Sequence, residues 1–415
     1  MSILEDIKKV KPKNITIDAD THESPVSVHE DISTENLQEN PVSLLKDSDE
    51  TQLQNAETST PAETPLTQSP SPAEAPLPTQ EKKPFPKKHT GTIKTIFMGT
   101  GEFASHILNE MLAHAKCNLA AVITQPEKKL GRKKTGINRA LALNPVRDVA
   151  MQNNIPLIQP YKFDAETIDK IKSIAPDAIV VASYGKILPQ EVLKIPKIGA
   201  INIHTSLLPK LRGSSPIQNA LLLGYKETGV TIMRMDTGMD TGAIFAQEKV
   251  TIEDHEKADE LTQKLSRVGA KLFIETCPKI LDHSITPTEQ DSAQATLCQM
   301  IDREDGHIQW TDTTEEIYNR YRALYPWPGI FGYWEVRESH IIRIKLRGIY
   351  PFTGELSDEQ KDLLPGTVFI ARDQLCIKTF DTAIILESIQ PECKAVMPVY
   401  DFLNGYKDFE GAVLH

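Results

Sequence analysis

Between residues 92 and 281 the chain alternates two patterns, and that alternation restricts it to a few architectures. "TIKTIFMGT" (92–100) reads as a strand buried on both sides, and "GEFASHILNEMLAHA" (101–115) as a helix with apolar positions at helical spacing. "NLAAVIT" (118–124) is a second strand, "NPVRDVAMQNN" (144–154) a second helix and "IPLIQ" (155–159) a short third strand. "DAETIDKIKSIA", "PDAIVVASYG", "LPQEVLKIP" and "GAINIHT" continue as helix, strand, short helix and strand through residue 205. "SSPIQNALLLG" is helical, "TGVTIMRMD" and "GAIFAQEKVTI" read as paired strands, and "KADELTQKLSRVGAKLFIETCPKIL" (257–281) is a long amphipathic helix. Helices inserted between apolar strands imply a mostly parallel sheet with helices on both faces. In such sheets ligands sit at the carboxyl ends of the strands.

The pattern changes after Leu281. "SITPTEQDSAQATLCQM" (284–300) has no periodic apolar face and reads as a linker. From residue 301 come short strand patterns, "HIQW", "FGYWEV", "HIIRIKLRGIY", "GTVFIA", "QLCIKTF" and "AIILESIQ", with one helix, "TTEEIYNRYRALY", before "PWPG". Short strands with Gly and Pro turns suggest a small β-barrel, of which an oligonucleotide-binding (OB-like) barrel is the first expectation. The expected organisation is α/β. An extension over residues 1–90 precedes a Rossmann-like domain over 91–283, a linker over 284–300 and a barrel domain over 301–415.

Charge is unevenly distributed. The formal net charge is −11, but residues 1–80 hold 15 Asp/Glu against 5 Lys, leaving 42 acids and 41 bases for the rest. The ordered part is therefore about neutral. Residues 1–80 also lack Phe, Trp and Tyr and repeat Pro, Ser, Thr and Glu, so they cannot bury enough apolar surface to offset chain entropy and are expected to be disordered. The first arginine is Arg132, no apolar leader is present, and no apolar run is long enough to span a membrane. A cytoplasmic protein is the expectation. Cys117, Cys277, Cys298, Cys376 and Cys393 lie far apart without a C-x-x-C pair, which reads as reduced thiols and no metal site.

Four stretches carry candidate chemistry. In "INIHTSLLPKLRG" (201–213), Asn202 and His204 are two positions apart on a strand and therefore share a face. In "MDTGMDTGAIF" (235–245), Asp236 and Asp240 sit in glycine-bounded turns. A carboxylate beside an imidazole raises its basicity and fixes its orientation, and an amide donor beside both can stabilise an oxyanion. Spacing alone leaves open whether the three meet, since a strand-end histidine is more often a satisfied or surface residue. An aspartic protease needs two such Asp turns from separate lobes, and here both lie in one turn. "MGTGEFAS" offers Gly99 and Gly101, but Ala104 replaces the third glycine of a dinucleotide fingerprint and no acid closes "VITQ", so a tight turn is the default. Lys128, Lys129, Arg132, Lys133 and Lys134 form either a solvated loop or a phosphate-contacting one.

Taken together, "GTGEFA", "TQPEKKLGR", "VASYGKILP", "INIHTSLLPKLRGSSPIQ", "ETGVTIMRMDTGMDTG", "IDREDGHIQW" and "YPWPG" resemble the methionyl-tRNA formyltransferases, a branch of the folate-dependent formyltransferases. The likeness runs in order from about residue 93 to near residue 415. It implies transfer of a formyl group from 10-formyltetrahydrofolate to the amino group of methionine on initiator methionyl-tRNA, without a metal. By motif, Asn202, His204 and Asp240 become the catalytic set and Asp236 a structural residue. Ser206, Leu207, Leu208 and Pro209 would hold the folate, with Tyr184, Gly185, Ile187 and Leu188 as another wall. The loop Lys128, Lys129, Arg132, Lys133 and Lys134 would reach the tRNA acceptor stem, the barrel would hold the tRNA further down, and a monomer is expected.

Two features depart from that family. Gly101 stands where the family usually has Pro, and residues 300–415 carry 12 Lys/Arg against 19 Asp/Glu. Either Arg320, Arg322, Arg343, Lys345 and Arg347 cluster on one side of the barrel, or tRNA contact rests on the first domain. Two other readings stand beside the first: a formyltransferase acting on an amino sugar, and an idle folate- or RNA-binding protein on the same scaffold.

Overall fold

The computed structural model describes residues 93–113, 117–127, 144–338 and 340–415. The expected extension over 1–90 and the basic residues Lys128, Lys129, Arg132, Lys133 and Lys134 lie outside them. The described part belongs to one unit spanning Gln80–His415.

Strands β1 (Ile93–Gly99), β2 (Cys117–Ile123), β3 (Leu157–Ile158), β4 (Ala178–Ala182) and β5 (Ala200–His204) form one sheet with β7 (Glu227–Arg234) and β8 (Ile244–Thr251). The two-residue β6 (Arg212–Gly213) stays out of it. The strand order is β3-β2-β1-β4-β5-β7-β8. Pairing is parallel through β5 and antiparallel for β5–β7 and β7–β8. Helices α1 (Glu102–Leu112), α2 (Pro145–Gln152), α3 (Ala165–Ile174), α4 (Gln190–Leu193), α5 (Pro216–Leu222) and α6 (Ala258–Leu281) fill the connections. Local chemistry sets their starts: Asn144 accepts from Arg147 N at 3.1 Å with Pro145 in the first turn of α2, and Asp164 accepts from Thr167 N at 3.0 Å at α3.

Alternation along the strands divides the apolar residues between two faces. Phe97, Val180, Ile201 and Ile203 pack with Ile107 and Leu108 of α1 and Leu265 and Phe273 of α6. On the opposite face, Ile96, Met98, Ile179 and Val181 pack with Ile168 and Ile171 of α3 and Val192 of α4, and this apolar layer reaches Ala200 and Met235. Asn202 and His204 share the face of Ala200, beyond the helices that cover its neighbours. That leaves the second face of β5 to a polar pair.

The glycine turn after β1 is a close approach. A Cβ on Gly99 would lie 2.6 Å from Ala104 Cβ and 2.7 Å from Ala182 O, and Thr100 N donates to Ser183 O at 3.1 Å. The small side chain lets α1 start where the ends of β1 and β4 meet.

The later sheet is antiparallel. Strands β10 (Ile330–Arg337), β11 (His340–Pro351), β12 (Val368–Ala371), β13 (Gln374–Lys378) and β14 (Ala383–Pro391) pair in the order β10-β11-β14-β13-β12. Gly411 N donates to Val368 O at 2.8 Å on one edge, while Tyr333 N donates to His415 O at 2.7 Å on the other. The segment 411–415 thus bridges both edges and closes the sheet into a small barrel. "HIQW", expected as a strand, is reduced to one bridge between His307 and Phe331 after a turn at Glu304–Gly306, because Asp302 Oδ1 accepts from Glu304 N at 2.8 Å and bends the chain first. Helix α7 (Thr314–Leu324) begins with a reciprocal Thr313–Glu316 cap. Its buried Arg322 reaches Glu253 O and Glu256 O at 3.4 and 3.3 Å, and Tyr318 OH is 2.9 Å from His255 Nδ1, tying the barrel to the first sheet.

Candidate active site

Asn202 and His204 stand on β5 at 9% and 6% exposure. Such buried polar groups need partners. Asn202 Nδ2 donates to Asp240 Oδ1 at 3.2 Å. Asp240 Oδ2 accepts from Gly213 N at 2.9 Å. His204 Nδ1 lies 3.7 Å from Asp240 Oδ1. The amide, the imidazole and the carboxylate therefore converge.

The approach of Asp240 is unusual. Ile201 pairs with Arg234, so the loop after β7 leaves beside the start of β5 rather than at its carboxyl end. That loop must double back to put Asp240 over Asn202. Asp240 adopts φ +53° to do so, and a Cβ on Gly242 would lie 1.8 Å from Arg234 O, so only glycine admits the return. Asp236 closes the loop from within, accepting from Gly238 N at 2.9 Å and from Thr241 Oγ1 at 2.8 Å.

His204 Nε2 is 2.9 Å from Leu211 O. A carbonyl only accepts, so Nε2 carries the hydrogen, and Nδ1 is the nitrogen turned towards Asp240 and the crevice. Leu211 is itself held, its N donating to Thr296 Oγ1 at 2.8 Å.

The turn Ser206, Leu207, Leu208 and Pro209 is pinned to β7 through Thr231. Thr231 Oγ1 donates to Ser206 O at 2.6 Å and accepts from Leu208 N at 3.2 Å, while Gln247 Nε2 donates to Leu208 O at 2.8 Å. The Ser206 and Leu208 side chains are buried, with Ser206 Oγ donating to Lys210 O at 2.6 Å. Tyr184 and Leu188 point into the apolar layer under α3 and α4, Gly185 has φ +72°, and Ile187 is 85% exposed. On both walls the side chains mostly build the scaffold. In the turn, Ser206 O, Leu207 O, Leu208 N, Leu208 O and Pro209 O are already hydrogen-bonded within the fold, while Ile187 on the other wall presents an exposed side chain.

The Tyr184 hydroxyl has no hydrogen-bond partner among the described residues, and burial pushes its pKa up to about 12 from 10.0. A raised pKa means the fold prefers the neutral phenol, so that preference is intact below pH 10 and lost as pH rises through 12. Relative to Tyr184→Phe, the native chain is expected to lose about 1 kcal/mol of stability between about pH 9 and 11, read from denaturant midpoints. An unchanging difference would mean that the hydroxyl meets water.

Sequence reasoning missed three residues that brace this centre. Gln290 Nε2 donates to Asp240 O and Gly242 O, each at 2.8 Å, while its Oε1 accepts from Arg212 Nε at 3.1 Å and Nη2 at 2.8 Å. Thr296 O also accepts from Arg212 N at 2.8 Å, and Cys298 pairs with Gly213 where β9 (Leu297–Cys298) runs parallel to β6. Burial, with the Asp240 charge adding, pushes the Cys298 thiol up, which keeps it an uncharged packing group. The stretch expected as a linker over 284–300 thus also walls the crevice. Among the described residues no group of three or more His, Cys, Asp or Glu could hold a metal ion, and no helix is long and apolar enough to cross a membrane.

A family model described as "Formyl transferase" matches residues 93–277, and one described as "Formyl transferase, C-terminal domain" matches residues 300–407. The methionyl-tRNA formyltransferase of Caldicellulosiruptor saccharolyticus is 41% identical over 322 residues, which are 77% of this chain and 99% of that protein. The methionyl-tRNA formyltransferase of Thermodesulfovibrio yellowstonii is 38% identical over 317 residues, covering 76% and 97%. The crystal structure of HypX from Aquifex aeolicus in complex with tetrahydrofolic acid superposes with a TM-score of 0.52 at 17% identity over 76% of this chain. This chain spans 48% of HypX, and the likeness is one of fold.

Proposed function

From the premise that the chain belongs to the methionyl-tRNA formyltransferase family, we propose that Asn202, His204 and Asp240 transfer a formyl group from 10-formyltetrahydrofolate to the amino group of methionine on initiator tRNA. The observation that carries this reading is the junction at Asp240, which holds Asn202 at 3.2 Å and faces His204 Nδ1 at 3.7 Å.

The methionyl amine attacks the formyl carbon directly, so no serine or cysteine nucleophile is needed. Negative charge then grows on the formyl oxygen. Asn202 has a second N–H that makes no hydrogen bond among the described residues, and it supplies one donor. When protonated, His204 supplies the other through Nδ1–H, because Leu211 O already holds Nε2. Asp240 steadies that imidazolium and accepts the proton shed by the amine, directly or through one water. As the carbonyl reforms, the C–N10 bond breaks and N10 takes up the proton that the amine shed to Asp240, directly or through water, which returns Asp240 to its carboxylate. The turn Ser206, Leu207, Leu208 and Pro209 holds the folate, partly through main-chain groups, with Tyr184, Gly185, Ile187 and Leu188 as another wall.

For the tRNA, support comes from β11. Arg343, Lys345 and Arg347 alternate with buried Ile344 and Leu346 and so share the outer face of the strand. Burial, then Arg343, Arg347 and Arg303, hold the Lys345 ammonium below the usual lysine range; Lys345 Nζ also donates to Pro328 O at 2.7 Å and Arg343 pairs with Glu392 at 3.7 Å. Arg322 is buried at the junction with the first domain and Arg320 is paired with Asp312 at 3.3 Å, so neither joins that face. A net-acidic domain can therefore present a basic stripe to phosphates. The domains so used are 91–283 for chemistry and 301–415 for tRNA, with the loop Lys128, Lys129, Arg132, Lys133 and Lys134 at the acceptor stem, in a cytoplasmic monomer.

The test offers the protein one donor, 10-formyltetrahydrofolate, and two acceptors. Charged methionyl initiator tRNA is expected to be formylated and a nucleotide-linked amino sugar to remain unmodified. The opposite preference would establish the sugar reading, and no transfer to either would leave only a binding protein.

A further inference from the structure

We infer that Gln290 is a positioning residue for the formyl transfer, acting through the backbone of Asp240 from the segment that joins the two domains. The inference rests on the proposed role of Asp240. Gln290 uses both N–H groups and its oxygen. The two hydrogens go to Asp240 O and Gly242 O, and the oxygen takes two N–H groups of Arg212. No other side chain described here hydrogen-bonds both the loop after β5 and the loop after β7.

Each end of that bridge meets a backbone under constraint. Asp240 sits at φ +53°, a conformation that an L-residue keeps only when its surroundings enforce it. Its carboxylate must stay within reach of Asn202 Nδ2 and Gly213 N at once. Arg212 is 6% exposed, and its guanidinium has Gln290 Oε1 as its side-chain acceptor. Arg212 lies between Leu211, whose carbonyl sets the His204 ring, and Gly213, whose N–H holds Asp240. One amide therefore fixes the carboxylate from behind and the imidazole's support from the side. Gln290 touches no reacting atom, so it positions rather than catalyses.

The experiment compares wild type, Gln290→Ala, Gln290→Glu, Asp240→Asn and the double variant Asp240→Asn/Gln290→Ala in formylation of charged initiator tRNA. Thermal unfolding is recorded for each. Misplacing a reacting group by about 1 Å can cost ~100-fold, so Gln290→Ala is expected to lower kcat by ~10- to 100-fold, with both KM values within about threefold. Gln290→Glu is the sharper variant. It keeps an acceptor for Arg212 but sets a carboxylate against two carbonyls, so it should lose kcat as Gln290→Ala does at a temperature where its unfolding curve shows it fully folded. In the Asp240→Asn background, removing Gln290 should cost less than about threefold, because the group it positions is already disabled. Full kcat in both Gln290 variants would overturn the inference, as would a loss that follows only the folded fraction or one that is undiminished beside Asp240→Asn. If Asp240→Asn itself keeps wild-type kcat, the reading of the site falls and this inference with it.

Discussion

Asp240→Asn is expected to lower kcat by ~100- to 1,000-fold while leaving both KM values within about threefold. The substitution keeps the side chain's shape and removes its charge and half of its accepting capacity. In the native site both carboxylate oxygens are taken by donors, Oδ1 by Asn202 Nδ2 and Oδ2 by Gly213 N. An asparagine can place its oxygen at only one of these. Its amide then faces either Asn202 or Gly213 donor to donor, and the Asn202 amide is pushed from the place where it would meet the formyl oxygen. The imidazolium loses its counter-charge at the same time, and the attacking amine loses its proton acceptor. Three consequences of one atom change all fall in the transition state, which is why kcat rather than KM should respond. Steady-state formylation of charged tRNA checks the rate. Unfolding should show a loss of about 1–3 kcal/mol from the mismatched donors. A variant retaining more than a third of wild-type kcat would remove Asp240 from the chemistry.

How much of this was legible beforehand differs between elements for physical reasons. The central strands of the first sheet were readable because β1, β4 and β5 are buried on both faces and so appear as apolar runs, as in Ala178–Ala182. Asn202 and His204 stood out as polar residues on such a run, where an amide and an imidazole must be satisfied or used. The meeting with Asp240 was not in the spacing. It depends on β7 running antiparallel and on its exit loop turning back through Gly242, and neither event has a periodic signature. Gln290 and Thr296 were illegible for the opposite reason. They hydrogen-bond to main chain, which needs polar residues with no apolar rhythm, and such a stretch looks the same as a linker. Arg212 lies inside the 201–213 stretch, but its pairing with Gln290 Oε1 crosses 78 residues and has no local signature. Tyr184 and Leu188 lie in "VASYGKILP", a stretch that resembles the formyltransferases, yet their side chains fill the layer beneath α3 and α4. A motif marks a place where the chain must run a certain way, and the reason is sometimes packing.

Deleting the segment 411–415 is expected to destabilise the barrel by on the order of 5 kcal/mol, from lost main-chain hydrogen bonds and one buried leucine. The segment works on both edges of the sheet. Gly411 N donates to Val368 O and Val368 N to Ala412 O, each at 2.8 Å, and Leu414 N donates to Gly366 O at 2.9 Å. On the far edge Tyr333 and His415 exchange both main-chain bonds, at 2.7 and 2.8 Å. Without these residues, β10 and β12 become open edges, with the buried Trp310 and Trp334 behind them. Leu414, 2% exposed, adds apolar burial at the seam. Leu414→Ala separates the two contributions, because it removes the side chain and leaves every main-chain bond in place. It should cost about 2–4 kcal/mol, less than the deletion. Circular dichroism melts of the three proteins provide the comparison, and the barrel's transition should fall in the order full chain, Leu414→Ala, deletion. A deletion no less stable than Leu414→Ala would mean that the main-chain bonds contribute nothing. The barrel would then be held by its paired strands alone, with the closing segment lying on a surface that does not need it.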